Sequence, residues 1–420
     1  MITFLITALK IIFVLGFLIL IHEAGHFFVA KLCKVTVNEF SIGFGPVIWR
    51  KQGKNTKYTL RLIPLGGFVN LEGEEERSEK EGSFSKASIP KRIAIVIAGG
   101  LVNILFALIV YYCLMLSIGN HTSFIVEDVI QNYAAQNAGI QKNDEILKIN
   151  NKKIYTRNNF DKIISNSNGE ELKLTIKRNN EIKDITLIPT KQEYKSTGIY
   201  LKATNSGDST EILTVQAKSV AEKAGIKAND EILKINQIEV KNQQEVINVI
   251  QNIKEENLNF LLKRGNEEIE ISLIPDIKAN YYLGTYFKQA ENNLTNNLYY
   301  SLFETRDFAF SIVDNLKMLV TGNVRVDQFM GPVGISEVVA NTSSFQDFVY
   351  ILALISLSLG VTNLLPIPAL DGGKLLLILI EAIRRKKISE KVEINIQLIG
   401  FAILITLSLY ITYHDILRIL

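Results

Sequence analysis

The chain has 420 residues, 47% of them hydrophobic and 21% charged, with a net charge of +3 and a mean hydropathy of +0.17. That mixture excludes both a purely soluble enzyme and a bare membrane bundle, and predicts a few spans attached to a sizeable water-exposed portion. So small a net charge, with no dense basic block, argues against nucleic acid as a partner, and two cysteines without Cys-x-x-Cys spacing exclude a disulfide framework.

The first apolar run extends from about Phe4 to Ala30. It is too long for a secretory signal, lacks a basic leader and has no small-residue cleavage site, so it reads as a retained span. Inside it lie His22, Glu23 and His26. A charged group in hydrocarbon costs about 2.5–3.5 kcal/mol on insertion scales, so a span that carries such residues has a use for them. The spacing is H-E-x-x-H. On a helix it sets two imidazoles one turn apart, able to share a zinc ion, with Glu23 placed to act as general base on a metal-bound water. A histidine pair satisfied by neighbouring helices is the alternative.

The next stretch, VNEFSIGFGPVIWRKQGKNTKYTLRLIPLGGFV, alternates at Tyr58, Leu60 and Leu62 after the turn letters Gln52-Gly53-Lys54-Asn55. It reads as a hairpin-rich element dipping to membrane level, where backbone must pair internally, be buried in protein or line a cavity. The acidic EGEEERSEKEG that follows reads as a solvated loop. A second apolar run covers about Ile93 to Leu116.

The middle of the chain repeats itself. AGIQKNDEILKIN at Ala138–Asn150 returns 86 residues later as AGIKANDEILKIN at Ala224–Asn236, identical at 11 of 13 positions. Each copy reads as a helix ending at glycine, a turn and a strand, followed by further alternating strands, a pattern that resembles bacterial PDZ domains. Beyond the repeats, NLYYSLFETRDFAFSIVDNLKMLV carries apolar residues at helical spacing, fitting either a helix along the outer membrane surface or an ordinary packing helix.

A third apolar run, about Phe348 to Ile367, is interrupted by Pro366 and Pro368, and Asp371 stands where an N-cap would before GGKLLLILIEAI, a stretch too short to cross. The last run covers about Ile394 to Ile411. Lysines and arginines cluster between the first two runs and again at Arg384–Lys391, which places both segments in the cytoplasm, with the N-terminus, C-terminus and repeats outside. Two histidines need at least one more protein ligand for a hydrolytic zinc site. His121 and His414 fall near the outer ends of spans, so the third ligand is a carboxylate or a thiolate. Asp371 is the better candidate and Cys33, two turns past His26, the weaker.

HEAGH in a first span with NLLPIPALDG (Asn363 to Gly372) after a third resembles the site-2 protease family of intramembrane zinc metalloproteases (peptidase M50). GFG at Gly43, Phe44 and Gly45, PLGGFV at Pro64–Val69, AGG-x-x-N ending at Asn103 and GPVGI at Gly331–Ile335 agree in order with that family, and two PDZ copies point to its RseP type. Gly100 departs from the proline usual there. The resemblance implies a multidomain α+β membrane protein: a four-span helical bundle with a membrane-reentrant β-loop and two extracytoplasmic PDZ-like β-domains. Its segments are 1–32 (first span), 33–91 (reentrant and acidic loops), 92–118 (second span), 119–195 and 205–280 (PDZ copies), 281–345 (linker with an amphipathic helix), 346–392 (third span and half-helix) and 393–418 (fourth span).

It further implies Zn2+ held by His22, His26 and Asp371, Glu23 as the catalytic base, Asn363 at the oxyanion or substrate backbone, and Gly43, Phe44 and Gly45 against an extended substrate. The expected activity is zinc metalloendopeptidase cleavage within the spans of single-span proteins of the bacterial inner membrane, in regulated intramembrane proteolysis. Anti-sigma factors and remnant signal peptides are the substrate types expected. The PDZ copies would either bind freed peptide C-termini or exclude bulky outer domains. Two competing readings are a membrane-anchored protease of soluble chains, which would want a downstream helical ligand in a soluble domain, and a PDZ-bearing adaptor with a dead site.

Overall fold

The computed structural model describes residues 2–419 except 75, 120, 203–208, 323, 325, 327, 328 and 343; the start of the second repeat at 205 lies outside the described residues. The chain forms two compact units. One comprises Met1–Ile118, Asn297–Ile312 and Met330–Tyr413, the other Gly119–Asn296, Val313–Phe329 and His414–Leu420.

The first unit contains, among the described residues, four helices long and apolar enough to cross a membrane, within Ile2–Leu32, Ile89–Ile118, Phe345–Asn363 and Glu390–Ile419. A helix apolar on every side must be covered by protein or by lipid. The first helix fits this: Val14 and Leu18 pack with Val339 and Leu352, while Leu9, Phe13 and Phe28 remain exposed. The third helix opens on a capping box, Ser344 with Asp347, and ends at Asn363 rather than running on to Ile367. Pro366 and Pro368 account for the early stop, because a proline pushes the residue before it out of helical geometry.

The half-helix Asp371–Arg384 follows. At 14 residues it rises about 21 Å, short of a bilayer's hydrocarbon core. Its start folds tightly back on the preceding turn: a Cβ on Gly372 would lie 2.0 Å from the carbonyl oxygen of Leu365, so only glycine fits. Its far end is held by a buried ion pair, Arg92 Nη1 to Glu381 Oε2 at 2.7 Å, and Glu381 Oε1 also accepts from the Ile388 amide at 2.9 Å.

Between the first two helices, strands Val37–Gln52 and Lys57–Leu71 pair antiparallel in a doubled register. Ser41, for example, lies opposite both Phe68 and Thr59. The long hairpin thus curls into four segments in the order 67–71, 37–42, 57–60 and 47–52. Segment 67–71 is an edge, paired on one side only. Around the bend where the hairpin curls back, Ile48, Trp49, Leu62 and Ile63 are exposed.

The second unit holds the two repeats, and each builds the same sequence of strands and helices. Glu145–Ile149 corresponds to Glu231–Ile235, Arg157–Ser165 to Gln243–Asn252, and Leu172–Arg178 to Leu258–Arg264. Their cores match as well, with Ile146, Ile149 and Leu174 in one and Ile232, Ile235 and Phe260 in the other. Each keeps a buried aspartate on an arginine fork, Asp144 with Arg178 and Asp230 with Arg264, both at 2.7 Å.

The two copies are nested. Thr190–Ser196 leads out of the first copy and pairs antiparallel with Asp276–Tyr282, which leads back from the second. Thr285–Gln289 then joins Thr122–Val129 as the edge of the first copy's sheet. That sheet therefore draws a strand from well beyond residue 195.

Candidate metal centre

His22 and His26 lie one turn apart on the first helix and face Asp371 at the start of the half-helix. His22 Nε2 is 3.1 Å from His26 Nε2 and 3.1 Å from Asp371 Oδ2, and His26 Nε2 is 3.3 Å from the same oxygen. Leu370, not Asp371, is the N-cap, and it makes no side-chain cap bond. Asp371 is the first helical residue, which leaves its carboxylate free to turn toward the imidazoles.

These atoms fit a metal. His26 Nδ1 donates to the carbonyl oxygen of Ile95 at 2.8 Å, so its Nε2 presents a bare lone pair. Asp371 Oδ2 is buried without a hydrogen-bond partner. Lone pairs crowded together this way call for a cation. A tetrahedral zinc ion with bonds of about 2.0–2.1 Å sets its ligand atoms about 3.3 Å apart, the spacing found here. Among the described residues this is the group of histidine, cysteine, aspartate and glutamate side chains that converges on one point.

A cavity of about 750 Å³ opens on these three side chains. Glu23 lines it, one residue along from His22, as do Phe68, Val69 and Leu71 from the hairpin edge. The polar part of the wall includes Glu74 and Lys374, ion-paired at 2.6 Å, Gln397 of the last helix, and the charged Arg77 and Glu393. Gly43, Phe44 and Gly45 are not in the wall; the Phe44 ring lies over Gly66 instead. Asn363 is also outside it, with its Nδ2 3.5 Å from His22 Nδ1, behind the ring.

The second helix supplies residues the motifs did not single out by role. Ile95, Gly99 and Asn103 recur every fourth residue and form one stripe behind both imidazoles. A Cβ on Gly99 would lie 2.3 Å from His26 Nε2, and the Asn103 amide nitrogen is 3.4 Å from His22 Nδ1. The sequence signal for these was the period of four within AGGLVN, which states a face but not what it faces.

The profile of peptidase family M50 matches residues 10–407 of this chain. The chain belongs to that family. A candidate zinc metalloprotease of Vibrio cholerae serotype O1 is 32% identical over 97% of this chain and 98% of its own length. The regulator of sigma-E protease RseP of Escherichia coli K12 is 28% identical, with 100% of each chain covered. Among solved structures, the HtrA3 PDZ domain bound to a phage-derived ligand aligns with 22% of this chain and 93% of its own, at 20% identity and a TM-score of 0.19.

Proposed function

We propose that this M50 protein is an intramembrane zinc endopeptidase of the bacterial inner membrane, cutting peptide bonds within the spans of single-span membrane proteins. The observation that carries the reading is the meeting of His22, His26 and Asp371 at zinc spacing, between helices that are themselves apolar enough to cross a bilayer. His22, His26 and Asp371 would hold the zinc, which when bound would supply Lewis-acid activation of water and of the peptide carbonyl. Glu23, in the same cavity, takes the proton from the attacking water and returns it to the leaving amine. Asn363, which lies outside the cavity wall with its Nδ2 3.5 Å from His22 Nδ1, would have to turn away from that ring to donate to substrate or to the developing oxyanion.

A span arrives with its carbonyls locked in its own helical hydrogen bonds, so it must be unwound to be cut. The hairpin edge at 67–71, paired on one side and lining the cavity, gives the extended segment a strand to join. The hairpin's exposed apolar bend suits a loop that enters the bilayer, and GFG shapes it. Positive charge between the first two spans and before the last puts the metal end toward the cytoplasm and both PDZ copies outside. There the copies select substrates, by holding a freed C-terminus or by excluding bulky ectodomains. Spans left by earlier cleavage, in anti-sigma factors or signal peptides, are the substrates that fit.

The test is purification in detergent, metal analysis, and cleavage of a membrane-spanning substrate by the native protein and by Glu23→Gln. We expect one zinc per chain in both, and a loss of at least about 100-fold in turnover for the variant. Equal turnover would remove Glu23 from the chemistry, and a metal-free native protein would remove the assignment.

A further inference from the structure

The two asparagines behind His22 divide the work between them. For Nε2 to bind a metal, the ring must carry its proton on Nδ1, and that N–H needs an acceptor. Nδ1 faces two side-chain amides, Asn103 at 3.4 Å and Asn363 at 3.5 Å, each through its nitrogen, which can only donate. Asn103 is fully buried (0% exposed) and its Oδ1 has no partner. A bare buried amide oxygen is a costly thing to leave. Turning that amide by 180° exchanges oxygen and nitrogen without changing its shape: Oδ1 then accepts from Nδ1, pairing both, and the NH2 takes the place the oxygen left. Asn363 is half-buried and its oxygen is not among the buried atoms left without a partner, so it has no such deficit to relieve by turning.

On the metalloprotease reading above, we infer that Asn103 is a positioning residue: its amide oxygen accepts the Nδ1 proton of His22 and holds the ring with Nε2 toward the metal. Its backbone is anchored for this, since Ser356 Oγ of the third helix donates to the Asn103 carbonyl oxygen at 2.9 Å. Ile95, two turns earlier on the same stripe, does the equivalent for His26 through its carbonyl. The second helix thus supplies an acceptor to each zinc-binding imidazole.

The test measures zinc affinity of the full-length protein in detergent by chelator competition, with the visible spectrum of the Co2+-substituted protein as a second readout. Asn103→Leu keeps the volume and removes the acceptor, and should weaken zinc binding by about 10- to 100-fold. Asn103→Asp keeps an acceptor and should bind within about 3-fold of the native protein, or more tightly, with the native Co2+ spectrum. Unchanged affinity in Asn103→Leu overturns the inference. So does a loss in Asn103→Asp as large as 10-fold, and this arm decides the matter if the leucine variant does not fold. A native protein that takes up no zinc would instead sink the metalloprotease reading, so the two failures are distinct.

Discussion

Gly99 measures how little room the two imidazoles leave. A Cβ there would lie 2.3 Å from His26 Nε2 and 2.7 Å from His22 Nε2, closer than side chains approach one another. The His26 ring cannot simply retreat, because its Nδ1 is bonded to Ile95. Gly99→Ala should therefore push the imidazole nitrogens apart and, on the metalloprotease reading, abolish zinc binding. On helix propensity alone the same change is favourable by about 1 kcal/mol, so loss of the helix cannot explain the effect. Metal analysis beside far-UV circular dichroism would separate the two; native zinc content in the variant would mean the rings have slack that these distances deny. That His22, His26 and Asp371 meet was legible in the sequence, because i, i+4 spacing fixes a face and two prolines mark where a span breaks. The residues behind them were not, because Gly99 and Asn103 acquire meaning only from the helix they are pressed against.

At the scale of elements, short polar anchors hold apolar segments in register, and the two repeats carry the best-defined one. Asp144 is 1% exposed and sits on the Arg178 fork. Burial drives its carboxyl upward, but the arginine and the Gln141 amide outweigh that and hold it below the ordinary carboxylate range. A carboxylate whose pKa is lowered by folding stabilises the fold fully above its unfolded pKa of about 3.9, and the contribution fades as pH falls through the lower folded value. Hydrogen exchange at Glu145–Ile149 should thus be insensitive to this pair from neutrality down to about pH 4.5 and should show the strand opening below that. Asn at position 144 leaves the guanidinium without its counter-charge. Asp144→Asn should lower the strand's protection at neutral pH by about 3 kcal/mol and flatten the acid dependence. An acid response as steep as the native one would assign it to other groups. Alternation and turn letters predicted the hairpin as well, but not that it would curl until one strand pairs twice, since register depends on bulges that leave no letter pattern.

At the scale of the molecule, the duplication was plain from 11 repeated letters, and the nesting was hidden. The five residues Thr285–Gln289 carry no motif and lie beyond both copies, yet Phe287 stacks edge-on against Phe124 and Phe160 of the first core, with ring centroids 5.5 and 5.1 Å away. This determines where the protein can be cut. A fragment of residues 119–195 lacks that strand and leaves Thr122–Val129 as a raw edge, a template for aggregation. Ser196 and Asp276 lie opposite each other, close enough for a tight turn to join them. Residues 119–196 joined to 276–290 through a two-residue Asn-Gly turn should therefore give a soluble domain with one cooperative unfolding transition, while 119–195 alone should aggregate or unfold without one. Equal cooperativity in the two fragments would make the late strand dispensable. The same junction tells how to test substrate selection: excising residues 197–275 removes the second copy and leaves the first intact, whereas excising residues 123–275 also orphans Thr285–Gln289 and confounds lost selection with a broken sheet.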